Sequence, residues 1–411
     1  MVASDDIRPF PDEEVNTVIQ RLIGQRAFLH LVGRFRIGKA YTLAPPVFRL
    51  WIWLRLRAIF GGIHSVEALQ ECIAPFVDRG LRRTTRDIAW SGLENLDASR
   101  ASLFLSSHRD IVLDPALVNY TLYQCSMSTT RIAIGDNLTD NPMVADLMRL
   151  NKSFIVRRNL STAREMRDTF MALSHYIRDS LSQGHSVWMA QREGRAKDSV
   201  DVSDPAIIKM LYMSYKRDGL SLDEAVRALR IVPVAVSYEF DPCDSEKARE
   251  LEERYRTGSY EKRPGEDIES IVRGVSGQKG RVHIAFGSPL EPQGLERPED
   301  VSQAVDRQIL SLMRFYPVHY AAARKLVERG VIDALPESLQ RAMPEDTELR
   351  RAHRFLDERL DPQPPALHPW MLGIYANALL RYHSLPLAAL RNPAAELDSG
   401  SAMDNTGEAP A

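Results

Sequence analysis

The chain has 411 residues, 44% hydrophobic, 26% charged and 8% aromatic. That composition excludes collagen-like, coiled-coil and wholly disordered chains, and the length suits two to three domains with a sizeable core. Lys+Arg number 53 against Asp+Glu 55, for a net charge of -2, so no global positive field marks a nucleic-acid protein.

The N-terminus, MVASDDIRPFPDEEV, is acidic where a signal peptide is basic and then apolar, so the expected location is the cytoplasm. Residues 1–86 read as a helical region, beginning with a helix over Glu14 to Val32 that places Val15, Val18, Ile19, Leu22, Ile23 and Leu29 at helical spacing. Val47 to Phe60 is mostly apolar and holds Trp51 and Trp53, but Arg49, Arg55 and Arg57 interrupt it. It falls short of the ~20 apolar residues that cross a bilayer. Two readings fit: an interfacial helix with arginines on lipid phosphates, or a core helix whose arginines snorkel. Asp78 to Asp87 then concentrates Arg79, Arg82, Arg83 and Arg86, a solvated face or a headgroup-facing patch.

From residue 87 short apolar strands alternate with capped helices. The expected strands are Ala89 to Leu96, Ser102 to Ser106, Arg131 to Ile134, Ser153 to Arg157, Ser186 to Ala190, Ile231 to Glu239 and Val282 to Phe286. Thr162 with Glu165, Asp204 with Pro205, and Ser221 with Glu224 mark helix starts between them. The implied fold is α/β, a mainly parallel mixed sheet flanked by helices, over residues 87–297. Pro233 inside an apolar strand suggests a sheet edge or a distortion. Residues 298–391 read as a C-terminal helical region, with helices over Pro298 to Leu326 and Asp346 to Leu360, and residues 392–411 as a disordered tail.

Chemistry concentrates in SLFLSSHRDIVLDP, Ser102 to Pro115. A strand runs into His108, and in such folds ligands sit beyond strand C-termini. Histidine takes a proton near neutrality, and a carboxylate on its other nitrogen fixes the tautomer. Asp110 or Asp114 meets that need, provided the chain bends after the strand. Ser106 and Ser107 read as turn residues, and Arg109 as a phosphate ligand or a partner of Asp110. Downstream, two apolar strands deliver cations at their ends: Ser153 to Arg158 brings Arg157 and Arg158, and Trp188 to Lys197 brings Arg192, Glu193, Gly194, Arg195 and Lys197. The turn Gly135-Asp136-Asn137-Leu138 reads as an ordinary loop.

With Ile231 to Val236, these segments resemble the glycerolipid acyltransferase family, which has a His-Arg-Ser type turn with a following Asp, a Phe-x-x-Arg strand, a Glu-Gly turn with Arg, and an apolar-Pro-apolar strand, in that order. This sequence departs in having five residues between His108 and Asp114 where the family has four, Arg192 where Pro is common, and Arg195 one position early. The resemblance implies His108 as general base with Asp114 or Asp110, and substrate contacts from Arg109, Arg157, Arg158, Glu193, Gly194, Arg195 and Lys197. It implies transfer from acyl-CoA or acyl carrier protein to a lysophospholipid or glycerol-phosphate acceptor, foremost 1-acylglycerol 3-phosphate, in phospholipid synthesis. The expected setting is the inner face of the cell membrane, with peripheral attachment, no metal, no nucleic acid and no cofactor beyond the donor.

The alternative is a catalytically silent lipid-binding scaffold on the same fold. A serine hydrolase is disfavoured because Gly184-His185-Ser186-Val187-Trp188 lacks the second glycine of a nucleophile elbow. Cys72, Cys125 and Cys243 show no metal or redox spacing.

Overall fold

Short, mostly continuous apolar runs build seven strands in the computed structural model, which describes residues 7–139, 141–157 and 160–383. They are β1 (Asp87–Ser91), β2 (Leu103–Ser106), β3 (Arg131–Gly135), β4 (Ser153–Val156), β5 (Val187–Ala190), β6 (Ile231–Tyr238) and β7 (Arg281–Phe286). They form one sheet in the order β1-β7-β6-β2-β5-β3-β4. Every pairing is parallel except β6 with β7. The sheet is therefore the mixed, mainly parallel one that the alternation of strands and helices predicts.

The period of two sorts each strand between two helical layers. Leu103, Leu105, Val187, Met189 and Ile231 face the helices Ala163–Ser182, Pro205–Arg217, Leu222–Leu229 and Pro298–Leu312. Phe104, Trp188, Val232 and Val234 face the other way, onto Leu113, Leu117, Val118 and Leu122 of the helix Leu113–Gln124. Fully burying each such side chain contributes roughly 1.5–3 kcal/mol.

Pro233 lies in an interior strand, not at an edge. It sits where the β6–β7 ladder ends: Gly287 donates to its carbonyl at 2.8 Å, and the reciprocal bond is the one a proline cannot make. The Ser221–Glu224 start is a full reciprocal capping box. At Thr162 the hydroxyl accepts from Glu165 N, whereas the Glu165 carboxylate turns to Ser161.

The expected N-terminal helix divides in two, Asp12–Gly24 and Arg26–Ile37, because Gln25 is extended after the poor helix former Gly24. Pro298 to Leu326 likewise divides into Pro298–Leu312 and Pro317–Glu328, with Pro317 opening the second helix. The C-terminal helices share a core of their own, including Ala322, Leu356, Leu372 and Leu379. The expected tail from residue 392 lies outside the described residues.

Candidate functional site

The imidazole of His108 stands at the exit of β2, and the turn that carries it is fixed by its neighbours. Ser107 N donates to Val234 O at 3.0 Å, Gln191 N to Ser106 O at 3.0 Å, and Ala196 N to His108 O at 2.8 Å. Ser106 Oγ donates to Ser107 O at 2.8 Å, and Ser107 Oγ accepts from Val236 N at 3.0 Å. Both serines are fully buried turn residues.

The bend after β2 resolves the choice of acid. His108 Nδ1 lies 2.9 Å from Asp114 Oδ2. The same oxygen accepts from Arg109 N at 2.6 Å and Asp110 N at 2.9 Å. Tyr238 donates to Asp114 Oδ1 at 2.7 Å. Burial alone would raise the pKa of Asp114, but the hydrogen bond and charge of His108, with the Tyr238 donor, outweigh it and hold the carboxyl below its usual range. Asp110 does another job: its Oδ1 accepts from Val112 N at 3.0 Å and Leu113 N at 2.8 Å, capping the helix Leu113–Gln124. Burial, then the nearby Asp114 charge, raises the pKa of Asp110. Its carboxylate is also crowded by Gly274, where a Cβ would meet Oδ2 at 2.1 Å.

Arg109 is turned away from Asp110. Its guanidinium donates to Ser199 Oγ at 2.5 Å and Asp201 Oδ2 at 2.7 Å. Ser199 Oγ in turn donates to Ile374 O at 2.5 Å, Asn377 donates to Asp198 O at 2.9 Å, and Arg381 donates to Asp201 O. The C-terminal helix His368–Tyr382, in which no sequence motif was legible, thus braces the loop that follows β5.

His108 opens on a cleft at the C-terminal ends of β2, β3 and β5. Ile111, Pro115, Asn137, Trp188, Gly194, Arg195, Lys197, Lys262 and Asp267 are among its lining residues. Trp188 meets the imidazole edge-on, with centroids 5.7 Å apart and planes at 74°. Gly194 has φ +72°, a turn conformation that other residues adopt at a cost. Lys197 is ion-paired with Glu250, while Arg195 makes no ion pair among the described residues. Asn137 belongs to the turn read as an ordinary loop, and Lys262 and Asp267 were not foreseen. Glu193 is exposed and, like Arg157, is not a lining residue of this cleft. Arg157 follows β4, three strands from β2, about 14 Å along the sheet. Arg158 lies outside the described residues.

A histidine held by a buried aspartate over a cleft, at the strand ends of an α/β sheet, is an arrangement able to accept and return a proton. Residues 87–237 match the family model described as Acyltransferase, over the stretch that holds all four of the motif segments. A similar solved structure is the 1-acyl-sn-glycerophosphate (LPA) acyltransferase, PlsC, from Thermotoga maritima, at 15% identity and a TM-score of 0.36, covering 69% of this chain and 92% of that one. No curated protein matches the chain.

Proposed function

We propose that the protein moves a fatty acyl group from acyl-CoA or acyl carrier protein to a hydroxyl of a glycerol-phosphate acceptor, foremost 1-acylglycerol 3-phosphate, in phospholipid synthesis. The observation that carries this reading is the His108–Asp114 pair. It commits Nδ1 to the carboxylate at 2.9 Å and leaves Nε2 for substrate in the cleft.

In the proposed step the acceptor oxygen bonds to the thioester carbonyl carbon as His108 Nε2 takes the hydroxyl proton. The tetrahedral intermediate collapses by breaking the C–S bond, and the imidazolium returns the proton to the departing thiolate. Such general-base assistance contributes roughly 10²- to 10⁴-fold. Asp114, held ionised, fixes the tautomer and stabilises the imidazolium. Arg195 is the cation of this reading that meets the acceptor phosphate, since guanidinium matches it with parallel donors. Arg157 keeps its expected phosphate role only for a ligand that extends along the sheet edge.

Attachment to the inner face of the membrane belongs to the same reading. The helix Pro45–Phe60 leaves Val47, Leu50, Trp51 and Leu54 exposed, and Arg55 and Arg57 lie over the Trp51 and Trp53 rings at 5.9 and 5.2 Å. Among the described residues no helix is long and apolar enough to cross a membrane. An apolar face edged with arginines suits the interfacial region of an anionic leaflet.

The test is transfer of a radiolabelled acyl group from CoA or carrier protein to a panel of lysolipids by the purified protein. The expected result is product that requires a glycerol-phosphate acceptor. Binding of lipids without transfer to any of them would favour the silent scaffold.

A further inference from the structure

One wall of the cleft comes from beyond the segment that matches the acyltransferase model. Lys262 lies in the loop 258–265, and Asp267 in the first turn of the helix Glu266–Ser276. Lys262 Nζ donates to Asp267 Oδ1 at 2.7 Å, and Asn137 Nδ2, from the turn after β3, donates to Oδ2 at 3.1 Å. All three side chains line the cleft with His108 and Arg195. The loop is pinned by Glu266 Oε2, which accepts from Tyr260 Oη at 2.7 Å and Arg263 N at 3.2 Å.

The charges there are unevenly committed. Burial opposes ionisation of Asp267, but the hydrogen bond and charge of Lys262, with Asn137 and Arg195, hold its pKa below the usual range. Lys197 is buried against Glu250, and Arg195 and Lys262 both stand near enough to push its pKa down further. Three cations therefore converge on the cleft. Lys197 is locked to a buried partner, Arg195 has no ion-pair partner among the described residues, and Lys262 is held by a single, partly exposed carboxylate.

We propose that the Lys262–Asp267 pair is an exchangeable latch for a phosphomonoester. The incoming dianion displaces the Asp267 carboxylate from Lys262 and is held between Lys262 and Arg195, while Asn137 keeps hold of Asp267. A dianion outcompetes a monoanionic carboxylate for the same ammonium, and a neutral ligand leaves the latch shut. Only the identification of that phosphomonoester as the acyl acceptor rests on the function proposed above.

The latch predicts opposite effects from its two halves, read as Kd by titration calorimetry with glycerol 3-phosphate, with short-chain lysophosphatidate as the lipid-headgroup arm and glycerol as the neutral control. Lys262→Met should weaken both phosphomonoesters about tenfold, the worth of one charge-assisted hydrogen bond. Asp267→Asn should tighten them several-fold by freeing the ammonium, and glycerol should distinguish none of the proteins. Melting temperatures check folding, and Lys262→Gln replaces the Met variant if that one unfolds. A wild-type Kd in both variants, weakening in both, or no phosphomonoester binding by the wild type would overturn the proposal. The acyl-transfer function is judged separately, by thiol release from the wild type, which either binding result leaves open.

Discussion

Tyr238 grips the Asp114 carboxylate by the oxygen that His108 leaves, at 2.7 Å to Oδ1, while the imidazole meets Oδ2 at 2.9 Å. The phenol is that of the last residue of β6, so the centre of the sheet reaches His108 through one carboxylate. Burial, then the charge of Asp114, pushes the Tyr238 pKa well above its usual value, which keeps the phenol a donor. Tyr238→Phe removes a hydrogen bond worth about 1 kcal/mol and concentrates negative charge beside the imidazole. The acid limb of kcat/KM should then move to higher pH, by up to ~0.7 unit, with KM unchanged. A profile that superimposes on the wild type's would reduce Tyr238 to filling space.

Arg109 and Asp201 form a pair at 2.7 Å, with Asp201 only 3% exposed. Burial works against the charge of Arg109, and Asp201 more than restores it. Arg109→Met strands a buried carboxylate and should cost about 3 kcal/mol in urea denaturation. Adding Asp201→Asn should recover part of that loss. A coupling below about 0.5 kcal/mol in the double-mutant cycle would contradict the pairing.

His319 is buried among the C-terminal helices, and its Nδ1 accepts from Tyr316 N at 2.8 Å. Burial, with the charge of Arg109, pushes its pKa down to about 3. Because the folded value lies below the unfolded value of about 6.5, the unfolded chain takes up the proton first. The stabilisation is complete above that pH and is lost as pH falls toward 3. His319→Asn, which keeps an acceptor near Tyr316 N, should flatten the decline of unfolding free energy between those limits. An unchanged slope would place the acid sensitivity elsewhere.

Leu50 and Leu54 are 59% and 53% exposed on the helix Pro45–Phe60. Leu50→Glu with Leu54→Glu sets charge against both the hydrocarbon and the anionic headgroups. Co-sedimentation with anionic vesicles should fall at least about tenfold, with the melting temperature unchanged. Full binding by this variant would remove the helix from the membrane contact.

The strands were legible because their apolar runs are short, rich in Val and Ile, and bounded by turn residues, and six lie where the sequence puts them to within a residue; the first, expected over Ala89 to Leu96, is Asp87–Ser91, because Gly92 at φ +81° turns the chain into a 3-10 turn over Leu93–Asn95. His108 was legible for the same reason, as the polar residue at a strand's exit. Its partner was not, since Asp110 and Asp114 differ only in how the chain bends, and the bend leaves one to cap a helix and the other to meet the imidazole. Arg109 reads in sequence as a neighbour of Asp110, yet its length carries it to Asp201. Lys262 and Asp267 carry no local signal: they are ordinary charges in a charged stretch, brought to the cleft by a chain that returns some 150 residues after His108.

The proposed role of His108 as the base for acyl transfer is tested by acceptor-dependent thiol release from acyl-CoA or acyl carrier protein, measured for wild type and His108→Ala side by side. The expected result is a loss of about 10²- to 10⁴-fold in kcat, with the melting temperature and glycerol 3-phosphate affinity little changed. A folded His108→Ala protein that releases thiol at the wild-type rate would contradict it.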